Sequence, residues 1–159
     1  MGAKGETFAR QFEAKVEEAT AVLEKLSDVD WKKTTAAEKW TVGVTAHHIA
    51  SSYEPATQII KTIVAGQTLP HFTREMLDDM NALHAKEFAD CTKPETIALH
   101  KKGAAAAAAA VRGLSDAELG KTGTVFTGMP LVSAEELVKR ILLAHLDAHF
   151  GSIRKTLGG

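Results

Sequence analysis

Apolar residues recur along the chain at steps of three and four, the period of an α-helix, and β-type alternation is scarce. Phe8, Phe12, Val16, Ala19, Val22, Leu23 and Leu26 mark one face of a first helix over residues 6–26. A polar connector containing Trp31 follows over residues 27–39. A second helix opens at Thr41, whose hydroxyl suits an N-cap, and carries Val44, His48, Ile49, Ala56, Ile59, Ile60 and Ile63 before fading at Gly66. Pro55 lies inside it and removes a donor from the carbonyl of Ser51, which predicts a kink. Residues 66–93 form a long connection, opened by Leu69-Pro70, with a helix of its own over residues 74–89. The third main helix spans residues 94–112, with Pro94 in the first turn and Gly113 as its stop. Its alanine run, Ala104 to Ala110, favours helix and makes a thin rod that neighbours can approach closely. Ser115 to Leu119 reads as one short turn and residues 120–130 as a loop. The last helix has the clearest start. Ser133 and Glu136 form a capping box, and Leu137, Ile141, Leu142, His145, Leu146, His149 and Ile153 follow at helical spacing to Leu157.

No solenoid repeat and no heptad array is present, so these elements predict an all-α fold. The expected unit is a single four-helix bundle over residues 1–159, with flexible ends at 1–5 and 158–159. At 159 residues and 45% hydrophobic, the chain is long enough to bury a core. Its formal charge of -1 lacks the basic excess that phosphate neutralisation requires, which disfavours nucleic-acid partners. The lone cysteine, Cys91, rules out an internal disulfide and fits a reducing, cytoplasmic setting. No apolar run approaches the roughly 20 residues that span a membrane, and the N-terminus has no secretory pattern.

Three of the seven histidines carry chemical information. His145 and His149 are four apart, so they project from one helical face and can grip one ion together. Ile141 and Leu142 share that side, which turns the pair toward the bundle interior. On the second helix His48 aligns with Val44 and Ser52 on the inward stripe. His47, about 100° away, belongs to the helix boundary or to another face. Three neutral imidazoles with an open position form a recognised kind of catalytic metal site, for which Zn, Ni, Fe and Cu are all suitable. The competing reading is a pair of hydrogen-bonded core histidines with an unrelated third. His48 lies about 10 Å from the start of its helix, and His145 and His149 lie about 12–18 Å from the end of theirs. Antiparallel packing brings the three to similar depth. The 66–93 connection is long enough to cross the bundle, so the third helix can run parallel to the second, which predicts up-down-down-up topology.

The segment Trp40-Thr41-Val42-Gly43-Val44-Thr45-Ala46-His47-His48-Ile49 resembles the tryptophan-led segment of the DinB/YfiT-like superfamily, where a histidine eight residues after the tryptophan begins a metal triad. Ala144-His145-Leu146-Asp147-Ala148-His149-Phe150-Gly151-Ser152-Ile153-Arg154 resembles its closing His-x-x-x-His helix, and residues 77–81 and 114–119 are also similar to segments of its members. The resemblance covers nearly the whole chain. It implies an up-down-down-up four-helix bundle, often a homodimer, with a divalent metal (Zn, Ni or Fe) on His48, His145 and His149. Relatives include thiol-dependent enzymes, namely bacillithiol transferases and mycothiol-dependent maleylpyruvate isomerases, and metal-dependent hydrolases. With the sequence ending soon after the His-x-x-x-His helix, the extra C-terminal domain of some isomerases is not expected.

The leading expectation is a metal-dependent enzyme that activates a low-molecular-weight thiol for attack on an electrophilic small molecule. A hydrolase using metal-activated water and a non-catalytic metal-binding or stress-response dimer are the alternatives. Ser52, one turn after His48, is a candidate to support the ligands, and Asn81 and His84 are candidates for the pocket mouth. Tyr53 and Arg154 are weaker substrate candidates. Glu54 and Asp147 are displaced from the histidine face, and Cys91, with no histidine near it in sequence, reads as a structural or exposed thiol.

Overall fold

Side-chain caps set most of the helix starts. In the computed structural model, which describes residues 2–158, the elements are α1 (Ala3–Lys25), α2 (Asp28–Trp31), α3 (Val42–Val64), α4 (Arg74–Glu87), α5 (Lys93–Arg112) and α6 (Asp116–Leu119). A two-stranded ribbon of β1 (Thr122–Gly123) and β2 (Val132–Ser133) leads into α7 (Ala134–Leu137), a π-helical segment (Val138–Ala144) and α8 (His145–Thr156). The last three form one continuous rod. Thr41, Thr73, Thr92, Ser115 and Ser133 each accept a hydrogen bond from a backbone N–H of the following first turn.

Several boundaries differ from the sequence reading, each for a local reason. α1 begins at Ala3, so residues 3–5 are helical where a flexible end was expected, and Gly5 is buried under the end of α5. Met1 and Gly159, also expected to be flexible, lie outside the described residues. The polar connector contains α2, nucleated by a capping box between Ser27 and Asp30. Only half of the Ser133 capping box forms, since Glu136 turns to Arg140 at 3.0 Å. The 120–130 loop contributes a strand residue pair, with Thr122 opposite Ser133 and Gly123 opposite Val132.

Contacts along the rods fix their directions. Lys93, at the start of α5, donates to the carbonyls of Glu24 and Leu26 at 3.0 and 2.8 Å, while Gly5 lies against Val111 and Leu114, so α1 and α5 are antiparallel. The indole of Trp31 joins the starts of α3 and α5: it packs on Gly43 and donates to the carbonyl of Cys91 at 2.9 Å. Further along, Thr57 and Ile60 meet Val111 and Leu114, so α3 and α5 run parallel. Lys4–Glu135, Lys15–Asp147 and Glu18–Arg154 pair in order, which makes the last rod parallel to α1. The result is the up-down-down-up bundle.

Phe12, Leu23, Ile49, Tyr53, Ile60, Ile63, Val111, Leu142, Phe150 and Ile153 form one buried core shared by the four rods. Within the alanine run, Ala104, Ala107 and Ala108 face inward, and Gly103 approaches the carbonyl of Ala50 and the ring of Tyr53. The thin helix expected from sequence therefore serves close packing of α5 on α3 and α1. α4 stands apart. It buries no residue and leaves Met76, Met80 and Leu83 exposed. No helix among the described residues is long and apolar enough to cross a membrane.

The two ends of the bundle predict opposite outcomes for glycine replacement. A Cβ on Gly5 would stand 2.6 and 2.8 Å from the carbonyl oxygens of Leu114 and Val111, backbone atoms that cannot swing aside. Gly5→Ala is expected to lower unfolding free energy by about 1–3 kcal/mol. Gly151, helical with open space around its Cβ position, should gain about 0.5–1 kcal/mol as alanine. Urea denaturation of the two variants checks the pair.

Candidate metal centre

His48 lies two turns into α3, after the Thr41 cap has fixed where the helix starts. His145 and His149 occupy the first turns of α8, directly after the π-helical segment. A π segment takes i→i+5 hydrogen bonds and shifts the phase of the helix that follows. Here the His145 N–H reaches back to the carbonyl of Arg140, and the shift aims the two histidines at α3 while Leu142 and Leu146 stay buried. One ring nitrogen from each of His48, His145 and His149 lies within 4.8 Å of the others. Ring centroids are 5.1, 4.9 and 4.5 Å apart for the 48–145, 48–149 and 145–149 pairs.

The donor set fits a divalent ion. His48 Nε2 and His145 Nε2 are 3.2 Å apart, and two imidazole nitrogens on one tetrahedral zinc stand about 3.3 Å apart at zinc–nitrogen distances of about 2.05 Å. A hydrogen-bonded core pair would account for that single distance but not for the third imidazole brought to the same point. Burial, followed by the neighbouring imidazoles, lowers His48 to about 3, and burial with His149 lowers His145 to about 4. Both rings are therefore neutral at physiological pH, as metal ligation requires.

Around the triad lies a shell that sequence spacing only partly revealed. Glu38, from the connector before α3, meets His149: its Oε2 is 2.7 Å from Nδ1, and its Oε1 accepts from Ser152 Oγ at 2.6 Å. Burial raises the Glu38 carboxyl, but hydrogen bonds from Ser152, His149 and Thr35 outweigh it and hold the group below its ordinary value. Trp40 packs its ring 5.2 Å from that of His48. His84, on α4, stands edge-on to His48 with centroids 5.8 Å apart, and its Nε2 lies 2.8 Å from His47 Nδ1 and 3.3 Å from Ser51 Oγ. Of the two places expected for His47, the structure shows the other face: it is buried and stacks on Phe88 with ring centroids 4.1 Å apart. Burial lowers both His47 and His84.

Among the described residues, the other candidates form no hydrogen bond with the triad. Ser52 donates to the carbonyl of Ile49 at 2.7 Å, so Ser51 rather than Ser52 reaches a histidine of the shell. Asn81 is half-buried on α4 and makes no hydrogen bond to the histidines. Tyr53 faces the core, where its hydroxyl meets His100 Nδ1 at 3.2 Å. Arg154 lies near Glu18, and Asp147 pairs with Lys15 on the outer face. Cys91 is half-buried with its thiol pushed up by burial. Glu38 was missed because a connector has no periodicity to reveal which residue the fold turns inward.

Fold and triad together define the class: a DinB/YfiT-like four-helix bundle with a three-histidine centre. The sequence profile of the mycothiol maleylpyruvate isomerase N-terminal domain matches residues 12–149, and the chain belongs to that family. Among solved structures, the fold is similar to a mycothiol-dependent maleylpyruvate isomerase at TM-score 0.73 and 14% identity, over 94% of this chain and 60% of that one. It is also similar to YfiT from Bacillus subtilis, described as a probable metal-dependent hydrolase with an unusual four-helix bundle topology. That match has TM-score 0.69 and 16% identity, over 98% of this chain and 86% of that one. The chain thus spans about 60% of the isomerase's length. No curated protein matches it.

Buried, neutral histidines give the metal-free protein a defined acid response. The unfolded chain takes up protons near pH 6.5, while His48 and His145 resist until about 3 and 4. Between these values the unfolded state binds more protons, so stability is full above about pH 6.5 and is lost as pH falls. Urea midpoints of metal-free protein should drop steadily from pH 7 to pH 4, with a shallower fall in His48→Gln. A flat profile, or one unchanged by the substitution, would show that these rings are not buried together.

Proposed function

We propose that this chain is a divalent-metal-dependent enzyme in which His48, His145 and His149 hold the ion and a small thiol attacks an electrophilic substrate. The observation that carries the proposal is the convergence of one nitrogen from each of three imidazoles within 4.8 Å. Three neutral donors leave the full positive charge on the ion, and Zn, Ni and Fe all suit such a set. When bound, the ion supplies Lewis acidity that favours the deprotonated, nucleophilic form of a thiol or water.

The residues of the chain supply position and surroundings. The two helices hold the imidazoles, and Trp40 and His84 shield the sides of the His48 ring. The chain's own thiol is poorly suited to attack, because burial disfavours the Cys91 thiolate. That supports a nucleophile brought from outside, as does similarity to an isomerase described as mycothiol-dependent. The proposal includes a cytoplasmic homodimer acting on a small molecule. Similarity to a probable metal-dependent hydrolase supports a second reading, in which water replaces the thiol.

Two measurements test the proposal. Elemental analysis of purified protein should find one divalent ion per chain, lost in His48→Ala and in His149→Ala. Metal-loaded protein mixed with mycothiol, bacillithiol or cysteine and a panel of electrophiles should form the thioether product only when both thiol and metal are present. Hydrolysis that needs no thiol selects the second reading, and the absence of any stoichiometric ion overturns both.

A further inference from the structure

The connector before α3 makes a tight turn directly over the histidine triad. Thr34 and Thr41 pair as an isolated bridge, Thr35 N–H donates to the carbonyl of Trp40 at 2.8 Å, and Val42 N–H donates to the carbonyl of Lys33 at 2.8 Å. Lys39 sits at φ 62, a left-handed conformation that costs a non-glycine residue energy and persists only when its surroundings enforce it. The turn built around this residue places Glu38 against His149 and Trp40 against His48. Two of the three imidazoles are thus touched by neighbours of one strained residue.

Glu38 is an unusual carboxylate. Its side chain is only 9% exposed, and among the described residues its one charge-pairing partner is His149. Among the described residues no lysine or arginine pairs with it to offset the cost of burial. A carboxylate can only accept hydrogen bonds, so the ring nitrogen facing it, Nδ1 of His149, carries the proton. The other nitrogen, Nε2, then keeps its lone pair free for the triad. Ser152, one turn beyond His149 on the same face of α8, holds the second carboxylate oxygen at 2.6 Å and stops the group from rotating away.

We infer that Glu38 is a positioning residue: it fixes the proton of His149 on Nδ1, presents Nε2 to the cation and lends the ligand its negative charge. The inference rests on the metal reading above and adds a residue and a proton assignment to it. Carboxylate partners of metal-bound histidines act in this way in general, and losing one weakens metal affinity about 10–100-fold. The strained turn at Lys39 has a stated use on this account, since it delivers the carboxylate from a segment 111 residues away in sequence.

The test uses the full chain, Zn(II) as the probe and two readouts. Zinc affinity, measured by competition with a chromophoric chelator, should fall about 10–100-fold in Glu38→Ala and by less in Glu38→Gln, which keeps an acceptor but loses the charge. Long-range nitrogen–proton NMR of metal-free protein at neutral pH should show His149 protonated on Nδ1 in the wild type, with the preference lost in Glu38→Ala. A role confined to packing would lower thermal stability in the alanine variant without moving the His149 tautomer. Wild-type zinc affinity in a folded Glu38→Ala, or a wild-type His149 protonated on Nε2, overturns the inference. Should Glu38→Ala fail to fold, unchanged affinity in the nearly isosteric Glu38→Gln overturns it instead. Failure of the metal reading looks different: the wild-type chain itself then binds no zinc, whatever its tautomer.

Discussion

The arrangement depends on α3 and the last rod crossing antiparallel with His48 level with His145 and His149. His48 sits near the start of its helix, so a partner running the same way would place its own late histidines at the wrong end. In a simple up-and-down bundle the second and fourth rods are parallel. Here the segment from Ala65 to Thr92, with α4 inside it, returns across the bundle and lets α5 run alongside α3. The last rod then lies parallel to α1 and opposite to α3. A long connection whose helix α4 has no fully buried residue is therefore what sets the depth of the triad.

Keeping these imidazoles inside the protein has an energetic logic. Each is a polar group largely removed from water, and protonation is resisted because burial and the adjacent rings penalise added charge. An apolar set of similar size would give a simpler core. Clustered neutral nitrogens beside a buried carboxylate form a place where a positive ion offsets several local costs together. The π-helical segment before His145 belongs to the same logic. It gives up regular hydrogen bonding over Val138–Ala144 and turns α8 so that its histidines face α3.

Much of this was legible in the sequence, and the rest was hidden for physical reasons. The alignment of His48 with Val44 and the His145–His149 step are local periodicities, so they survive translation into three dimensions. The direction of α5 followed from the length of a connection. By contrast, Glu38 lies in an aperiodic turn and acquires its role only when a distant helix docks against it. The choice between Ser51 and Ser52 depends on a rotation of about 100° around α3 and on where α4 comes to rest. The sequence left His47 between the helix boundary and another face, because the partners that settle it on the other face, His84 and Phe88, arrive from outside α3. The π segment could not be read from the pattern, since Leu137, Ile141, His145 and His149 recur at steps of four that a regular helix also gives.

The central claim is that three imidazoles from two helices share one ion. X-ray absorption on zinc-loaded protein addresses it without reference to any substrate. The account predicts a nitrogen–oxygen shell at about 2.0–2.1 Å with the outer scattering of three imidazole rings and no sulfur. A sulfur shell at about 2.3 Å, which would bring in Cys91, or the outer scattering of a single ring would contradict it.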